Sequence, residues 1–526
     1  MSDAKDVKYG DEALKELLQG VDVAYEVVAC TLGASYKQTL LQQSFGSPKS
    51  SNSGHAILKE LELQEPFENM GALLMKGLAS KMHDESGDGT TTAVVLSRAL
   101  FRESVRLVTS GTNPVILKRA IDQVVTLVTD HMAAHKLPVT SEEKYYDVAL
   151  AAASGDEEVA KIIASALEKV GKDGVITVEE GKSVESVIVC EEGMKVDRGY
   201  VSPYFVTDSD KLHAELSEPK ILITDKKISS IQELLPALQM AATSATPILL
   251  IADDFENEVL STLIVNRLRG TLKIAAAKAP GFGDQKKKLL EDLAILTNST
   301  LITEDLGHDM KNISLEFLGS AERVVLTKDS MTIVGGKGEK EQIAARIKQL
   351  ELELKDISSK YDREKLQTRK AKLQAGVGVI RVGAATESAL QEKKRRIEGA
   401  LNATLTAIQE GVVIGGLAAY IHAVKALDHN ISPELSMAWG VVKKALEAPI
   451  RKLLDNAGEL DPALIIDTIG KSSYPHGYNV KTKKIEDFIK SGILDPAKTM
   501  ILALKLAAST AGVLMTTEAI VATSEA

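Results

Sequence analysis

The stretch Gly87-Asp88-Gly89-Thr90-Thr91-Thr92-Ala93 constrains this chain more than any other. A polar run, Lys81 to Ser86, precedes it, and an apolar periodic segment, Val94 to Leu107, follows. The glycines and threonines therefore form the N-terminal turn of a helix. A helix start leaves backbone N–H groups without partners and carries partial positive charge, and both favour an anion. Two glycines let the backbone approach that anion, three hydroxyls add donors, and Asp88 is placed to hold a Mg²⁺ bridging phosphate oxygens. The plainer meaning of Asp or Thr before a helix is an N-cap. Nor is the stretch a Walker loop. Gly181-Lys182-Ser183 and Gly470-Lys471-Ser472 have that motif's ending, but Ile176 and Ile465 stand where its first glycine belongs. A phosphate site at Gly87 must work without a P-loop lysine.

A chain of 526 residues is long enough for about three domains. Its net charge of −10 and aromatic content of 4% weigh against a nucleic-acid partner, which calls for basic surface and stacking rings. The only cysteines are Cys30 and Cys190, and neither Cys-x-x-Cys nor His-Glu-x-x-His occurs, so zinc and dithiol chemistry are not expected. Residues Met1 to Asp6 lack the apolar core of a secretory signal. The apolar segment Met500 to Ala522 is broken by Lys505 and Glu518. The expectation is a cytoplasmic protein with no membrane partner.

Helical periodicity dominates the first part: Asp11 to Ala29, with Leu14, Leu17, Leu18, Val21 and Val28, then Phe67 to Met82, the Thr90 helix, and Pro114 to His135. From about Lys220 the pattern changes. Short apolar runs at Ile221–Ile223, Pro247–Ile251, Leu272–Ala275 and Thr300–Ile302 read as buried strands. Helical patterns at Ile231–Met240, Glu256–Leu268 and Gln285–Leu296 separate them, which predicts an α/β domain. Ile343, Ile347, Leu350, Leu354 and Ile357 form the seam of a long helix, expected to pair with a second helix through a turn near Ser358-Ser359-Lys360. After Glu387 the chain is mainly helical again.

Eight strings in order carry a resemblance that spans essentially the whole chain. They are Lys5-Asp6-Val7-Lys8, Phe67-Glu68-Asn69-Met70-Gly71-Ala72, Gly87–Ala93, Asp197-Arg198-Gly199-Tyr200, Lys278 to Asp284, Tyr361 to Leu366, Val382 to Glu387 and Gly492-Ile493-Leu494-Asp495-Pro496. The chain resembles the group I, GroEL-type chaperonins. The resemblance implies a mixed α and α/β fold with three domains. These are an all-helical equatorial ATP-binding domain (1–134 and 410–526), a small intermediate hinge domain (135–191 and 377–409) and an α/β apical client-binding domain (192–376). It further implies ATP, Mg²⁺ and K⁺ as ligands, non-native polypeptides as clients, and a co-chaperonin. The homo-oligomer it implies is a seven-membered ring, stacked in pairs or mixed with a standard chaperonin.

By the same resemblance, Thr31, Leu32 and Gly33 match a turn near the phosphates. Asp88, Gly89, Thr90, Thr91 and Thr92 match the phosphate and Mg²⁺ cradle, with Asp88 on the metal, while Gly416, Asn479 and Asp495 match residues around purine and ribose. Departures fall at the chemistry. The family's Thr-Leu-Gly-Pro ends in Ala34, its phosphate-edge serine is Ala152, and Leu417 replaces a usual third glycine. Two carboxylates are lost: Lys-Asp-Gly reads Asn52-Ser53-Gly54, and Glu-Asp-Ala-Leu, source of the aspartate that orients water, reads Glu398-Gly399-Ala400-Leu401. A group that positions and deprotonates water is worth roughly 10²–10⁴-fold, so weakened or absent ATP hydrolysis is expected, with compensation by an acidic neighbour as the competing reading. On the apical side Tyr200, Ser202, Tyr204, Phe205, Leu235, Leu238, Leu260, Ile264 and Val265 match the client-binding segment and two groove helices. Apolar helix stripes of this kind usually face a core; beside each other and exposed, they form a groove for unfolded chains. The leading expectation is an ATP-linked chaperonin with a compromised hydrolytic centre. The alternatives are a fully competent machine and a scaffold that reuses the architecture.

Overall fold

The computed structural model describes residues 5–523 apart from 43–47, 140–141, 154, 172–173, 182, 209–211, 282, 304–309, 311–312 and 357–359. The chain forms two compact units, Met1–Ala164 with Ala384–Ala526, and Ser165–Gly383. The segments expected to form a hinge domain are divided between them at these points.

In the first unit helices α1 (Gly10–Ala29), α2 (Gly54–Glu60), α3 (Pro66–Ser86), α4 (Thr90–Thr109), α5 (Pro114–Ala134) and α6 (Glu142–Ala152) come first, and α7 (Glu157–Val170) contains the division. The apolar periodicity explains their packing, since Leu14, Leu17, Val21 and Val28 all lie in the core. The approach of α1 to α3 is set by small residues. A Cβ on Gly71 would lie 2.3 Å from the Leu17 carbonyl oxygen, so the two backbones touch where a side chain would hold them apart.

The second unit opens with a sheet that is parallel on one side and antiparallel on the other. Strands Ile274–Lys278, Ile248–Ala252 and Lys220–Ile223 run parallel, followed by Gly319–Leu326, Met331–Gly336 and Gly193–Val196, with Ala214–Ser217 also paired to Gly319–Leu326. Ile248 to Ala252 are all buried, as expected of a parallel strand covered on both faces. Helices α8 (Ile231–Ser244), α9 (Asn257–Leu268) and α10 (Asp284–Thr297) alternate with the parallel strands. The strand expected at Thr300–Ile302 is corrected: there is only an isolated bridge, Thr224 to Ile302, with the Thr224 hydroxyl donating to the Ile302 carbonyl at 2.8 Å. The antiparallel half was not foreseen, because its strands lack a continuous apolar run.

Helices α11 (Lys340–Asp356) and α12 (Lys360–Ala375) pair as expected, joined by Lys370 Nζ to Glu351 Oε1 at 2.7 Å. Their turn at Ser358-Ser359, and Ile357, lie outside the described residues. Asp292 of α10 is fully buried and binds Arg346 of α11 at 2.8 Å and Arg369 of α12 at 2.8 Å. This one carboxylate fixes three helices, and removing it would leave two guanidinium groups without their shared partner. A three-stranded sheet, Val175–Glu180, Val377–Val382 and Val187–Glu191, completes the unit.

Back in the first unit come α13 (Glu387–Glu410), α14 (Ala418–Leu427), α15 (Ser436–Asn456), α16 (Pro462–Lys471) and α17 (Ala497–Met515). Strand Ala519–Thr523 then pairs antiparallel with Lys5–Tyr9, Lys5 opposite Thr523. By length and composition α17 is apolar enough to cross a membrane. The sequence reading denied this on the strength of Lys505 and Glu518, but the helix ends at Met515 and leaves Glu518 outside. Its Met500, Ala503, Leu504, Ala507, Ala511 and Leu514 fill the core of the unit, which accounts for the composition.

Candidate nucleotide site and client face

The start of α4 is built from two glycines in the left-handed region. Gly87, which ends α3, has φ +71°, and Gly89, which precedes α4, has φ +79°. Neither position has room for a side chain. A Cβ on Gly87 would sit 2.7 Å from Asn402 Cβ, and one on Gly89 would sit 2.6 Å from Thr499 Cγ2 and 2.9 Å from Met82 Cε. Tight packing thus bends the chain so that Asp88 stands at the mouth of the helix. Asp88 Oδ1 accepts from the Gly89 N–H at 2.6 Å, and among the described residues no side chain caps the first turn of α4. Donors at that turn therefore remain available for an anion.

The threonines divide their work. Thr91 and Thr92 are buried, and Thr91 Oγ1 shares a hydrogen with Thr31 Oγ1 at 2.9 Å, tying the Thr31-Leu32-Gly33 turn to α4. Thr90 is less enclosed. Asn456 of α15 holds the same turn from below, its Nδ2 donating to the carbonyls of Ala29 at 2.8 Å and Leu32 at 2.9 Å. Gly33 has φ +90°. Sequence reading passed over Asn456 because nothing in its helix pattern marks it.

Of the two positions that lack the expected carboxylates, Ser53 precedes a glycine that borders this turn, and Gly399 lies on the helix whose Asn402 meets Gly87. A Cβ on Gly54 would lie 2.6 Å from Thr91 Oγ1 and 3.0 Å from Thr90 Oγ1, so α2 begins against the cradle. Ser53 caps α2, its Oγ accepting from the Ala56 N–H at 3.4 Å. On α13, Asn402 faces Gly87. Three residues earlier, Gly399 leaves open space, with no described atom within 4 Å of a Cβ built there. A helix turns about 100° per residue, so Glu398 lies roughly 40° from Asn402 around the axis and Gly399 roughly 60° on the other side. Glu398 is thus nearer the cradle side than its one-residue offset predicts. Ala152, at the end of α6, offers no polar side-chain atom.

On the purine side, Asp495 lies in strand Leu494–Pro496, paired with Val412–Ile414. Its Oδ2 accepts from the Leu417 N–H at 3.4 Å. Leu417 has φ +64°, a left-handed conformation in which a branched side chain is strained, at the position where a third glycine was expected. Gly416, φ +58°, lies against the Phe488 ring, where a Cβ would be 3.3 Å from Cε2. Asn479 is engaged within its own hairpin: Nδ2 donates to Glu486 at 3.1 Å and Oδ1 accepts from the Lys481 N–H at 2.9 Å.

Electrostatics tie Asp88 to Asp495. Desolvation raises the carboxyl of Asp88, a residue that keeps a solvent-exposed surface, opposed by the Gly89 N–H and the His83 charge. Burial pushes Asp495 up to about 7; the Leu417 N–H opposes this and the Asp88 charge adds to it. A carboxylate held from ionising by desolvation, beside a helix start with open donors, is what a divalent cation with a phosphate would relieve. Among the described residues no group of three or more His, Cys, Asp or Glu side chains is arranged to bind a metal unaided. The chemistry of the site accordingly fits a cation held by Asp88 and phosphate oxygens together.

In the second unit, α8 turns Leu234, Ala237 and Ala241 into the core and leaves Leu235 42% exposed. From α9, Val265 is 43% exposed, and Leu260 and Ile264 are half-buried against the core. Tyr204 is 63% exposed, Tyr200 is half-buried, and Ser202 caps the turn Pro203–Phe205. Phe205 and Leu238 lie in the core, with 0% and 7% exposure. Leu268, at 63%, extends the exposed apolar surface beyond the residues named from sequence.

The Asp495 carboxyl is raised in the folded state, so its contribution to stability is complete only below the ordinary aspartate range and is lost as pH rises from there through about 7. Asp495→Asn keeps an acceptor for Leu417 and removes the charge. Its melting temperature relative to the unaltered protein should gain about 2 °C or more between about pH 5 and about pH 8, measured by calorimetry; a constant difference would contradict the assignment.

Comparison with known proteins agrees with this architecture. Residues 25–525 match the family described as the TCP-1/cpn60 chaperonin family. Among solved structures, the chaperonin gp146 from bacteriophage EL 2 (Pseudomonas aeruginosa), determined in the presence of ATP-BeFx, superposes with a TM-score of 0.68 at 21% identity, covering 99% of each chain. That likeness speaks for the fold. With the family match across nearly the whole length, the chain belongs to the TCP-1/cpn60 chaperonin family.

Proposed function

We propose that the chain is a group I, GroEL-type chaperonin that binds non-native polypeptides and Mg²⁺–ATP but hydrolyses the nucleotide slowly. The observation that carries the reading is the contrast within one site. The Gly87–Thr92 turn keeps its left-handed glycines, its open helix start and Asp88, whereas Ser53 is spent on capping α2 and Gly399 presents no side chain. In this reading Asp88 holds Mg²⁺, which when bound neutralises phosphate charge. The α4 start and Thr90 bind the phosphates, and Thr31, Leu32 and Gly33 close one side. Gly416, packed on Phe488, lies on the purine side, and Asp495 and Asn479 stand near the ribose. The three-domain division, seven-membered rings and a co-chaperonin follow from the same reading.

Client binding rests on Tyr204, Leu235, Val265 and Leu268, apolar groups that the fold leaves on the surface. Contact of this kind reads no particular sequence and serves many clients. Phe205 and Leu238 support the groove helices from inside. A Leu235→Ser/Val265→Ser variant should melt like the unaltered protein, because both side chains are exposed, yet lose most of its ability to suppress aggregation of two unrelated denatured proteins. Undiminished suppression would move the client surface elsewhere, and activity toward a single partner would favour a scaffold.

Steady-state ATP turnover tests the hydrolytic half. The unaltered protein should be slow, and Ser53→Asp/Gly399→Asp should be about 10-fold faster or more. The open space at Gly399 admits the new side chain without displacement. Fast turnover by the unaltered protein would contradict the reading.

A further inference from the structure

The end of α5 carries His131 and His135 one helical turn apart, and the fold sets them against His422 of α14 and the segment from Tyr474 to His476. The His131 and His135 ring centroids lie 4.3 Å apart. The Tyr474 ring stands 5.5 Å from that of His135 and 5.6 Å from that of His422, edge-on to the latter. Backbone bonds fix two of the rings: His135 Nδ1 donates to the His131 carbonyl and His422 Nε2 to the His476 carbonyl, each at 2.8 Å. His422 therefore takes up a further proton at Nδ1. His422 is buried and His131 half-buried. With Val413 these side chains line a cavity of about 10 Å³, room for a single water molecule and no larger ligand, so the cluster is not a binding pocket.

Among the described residues no carboxylate acts on this cluster. The charges that bear on His131 are those of His135 and His422, and those that bear on His422 are Lys425 and His476, all cations once protonated. Asp130 on α5, Glu410 at the end of α13, Glu447 on α15, Asp467 on α16, Asp487 after the hairpin, Asp495 beyond the start of α14, and Lys498 and Lys505 on α17 are not among them. Glu410 is engaged with Lys136 at 3.6 Å and Asp467 with Lys471 at 2.6 Å. Burial raises the Tyr474 hydroxyl, which stays neutral. We propose that the cluster is an acid-released clasp: proton uptake at His131 and His422 drives α14 and the Tyr474 to His476 segment away from the end of α5. Desolvation first, and then the neighbouring cations, hold both imidazoles below the ordinary histidine range, opposed at His422 by the His476 carbonyl. The stability tied to their neutral forms is complete above about pH 6.5 and is lost as pH falls through their lower folded values. Gly416 and Leu417 lead into α14, and the segment runs into the strand that ends at Asn479. Release thus also loosens the purine side of the nucleotide site proposed above, although the clasp itself does not rest on that reading.

The test is amide hydrogen exchange in the full-length protein, read by mass spectrometry at about pH 7.5 and about pH 5.5 and corrected for the intrinsic pH dependence of exchange. In the unaltered protein the amides of α14 and of His476–Asn479 should lose protection severalfold at the lower pH, while those of α1 keep theirs. His131→Gln/His422→Gln should protect these segments equally at both pH values. His135 is exposed, so His135→Glu keeps both buried-side histidines and sets a carboxylate beside them. It should abolish most of the loss, which rings that merely fill space would not do, and it decides the matter where the double variant fails to fold. Four results would each overturn the proposal: equal protection of the unaltered protein at both pH values, a loss shared equally by α1, a loss that persists in the double variant, or a His135→Glu protein that loosens like the unaltered one.

Discussion

The structure of the first unit depends on a steric constraint at one turn. Gly87 and Gly89 occupy conformations that side chains rarely adopt, and each is closed in by other elements: Asn402 on one side, Thr499 and Met82 on the other. That packing requires α13 and α17, which come late in the chain, to be in place around a turn that comes early. The antiparallel pairing of Lys5–Tyr9 with Ala519–Thr523 closes the same unit from its two ends. The geometry of the turn is thus a property of the folded unit rather than of seven residues.

Charge placement follows from that geometry. Desolvation raises both Asp88 at the mouth of α4 and Asp495, and the Asp88 charge adds to the shift of Asp495. In the proposed function, a site with this balance gains from a cation and phosphate arriving together, and binding and hydrolysis depend on different residues. There, binding draws on backbone donors, glycine conformations and Asp88, and hydrolysis on a proton acceptor that Ser53 and Gly399 do not provide. Loss of the second function can leave the first intact.

Much of this was legible in sequence. The helix periodicities of α1, α3, α4 and α5, and the buried parallel strands, appear because apolar spacing reports burial directly. Thr300–Ile302 misled because a short apolar run does not distinguish a strand from a segment making one bridge. The antiparallel strands Gly319–Leu326 and Met331–Gly336 were missed because their burial mixes small and polar residues such as Gly319, Thr332 and Gly336. Within the site, the turn was visible from its glycines, whereas Asn402 and Asn456 depend on helices meeting across hundreds of residues. Leu417 shows the same limit: only the fold places a leucine in a left-handed conformation at the N-terminus of α14. Phe205 and Leu238 illustrate that a stripe of matching residues does not say which members face outward.

The proposed client face and the proposed nucleotide turn lie in different units, and a single measurement addresses whether the cradle is intact. Calorimetric titration of the purified protein with ATP, with and without Mg²⁺, does so directly. The account predicts saturable binding of one nucleotide per chain that requires Mg²⁺ and is lost in Asp88→Ala. Absence of measurable heat at millimolar ATP, or binding indifferent to both Mg²⁺ and Asp88, would contradict it.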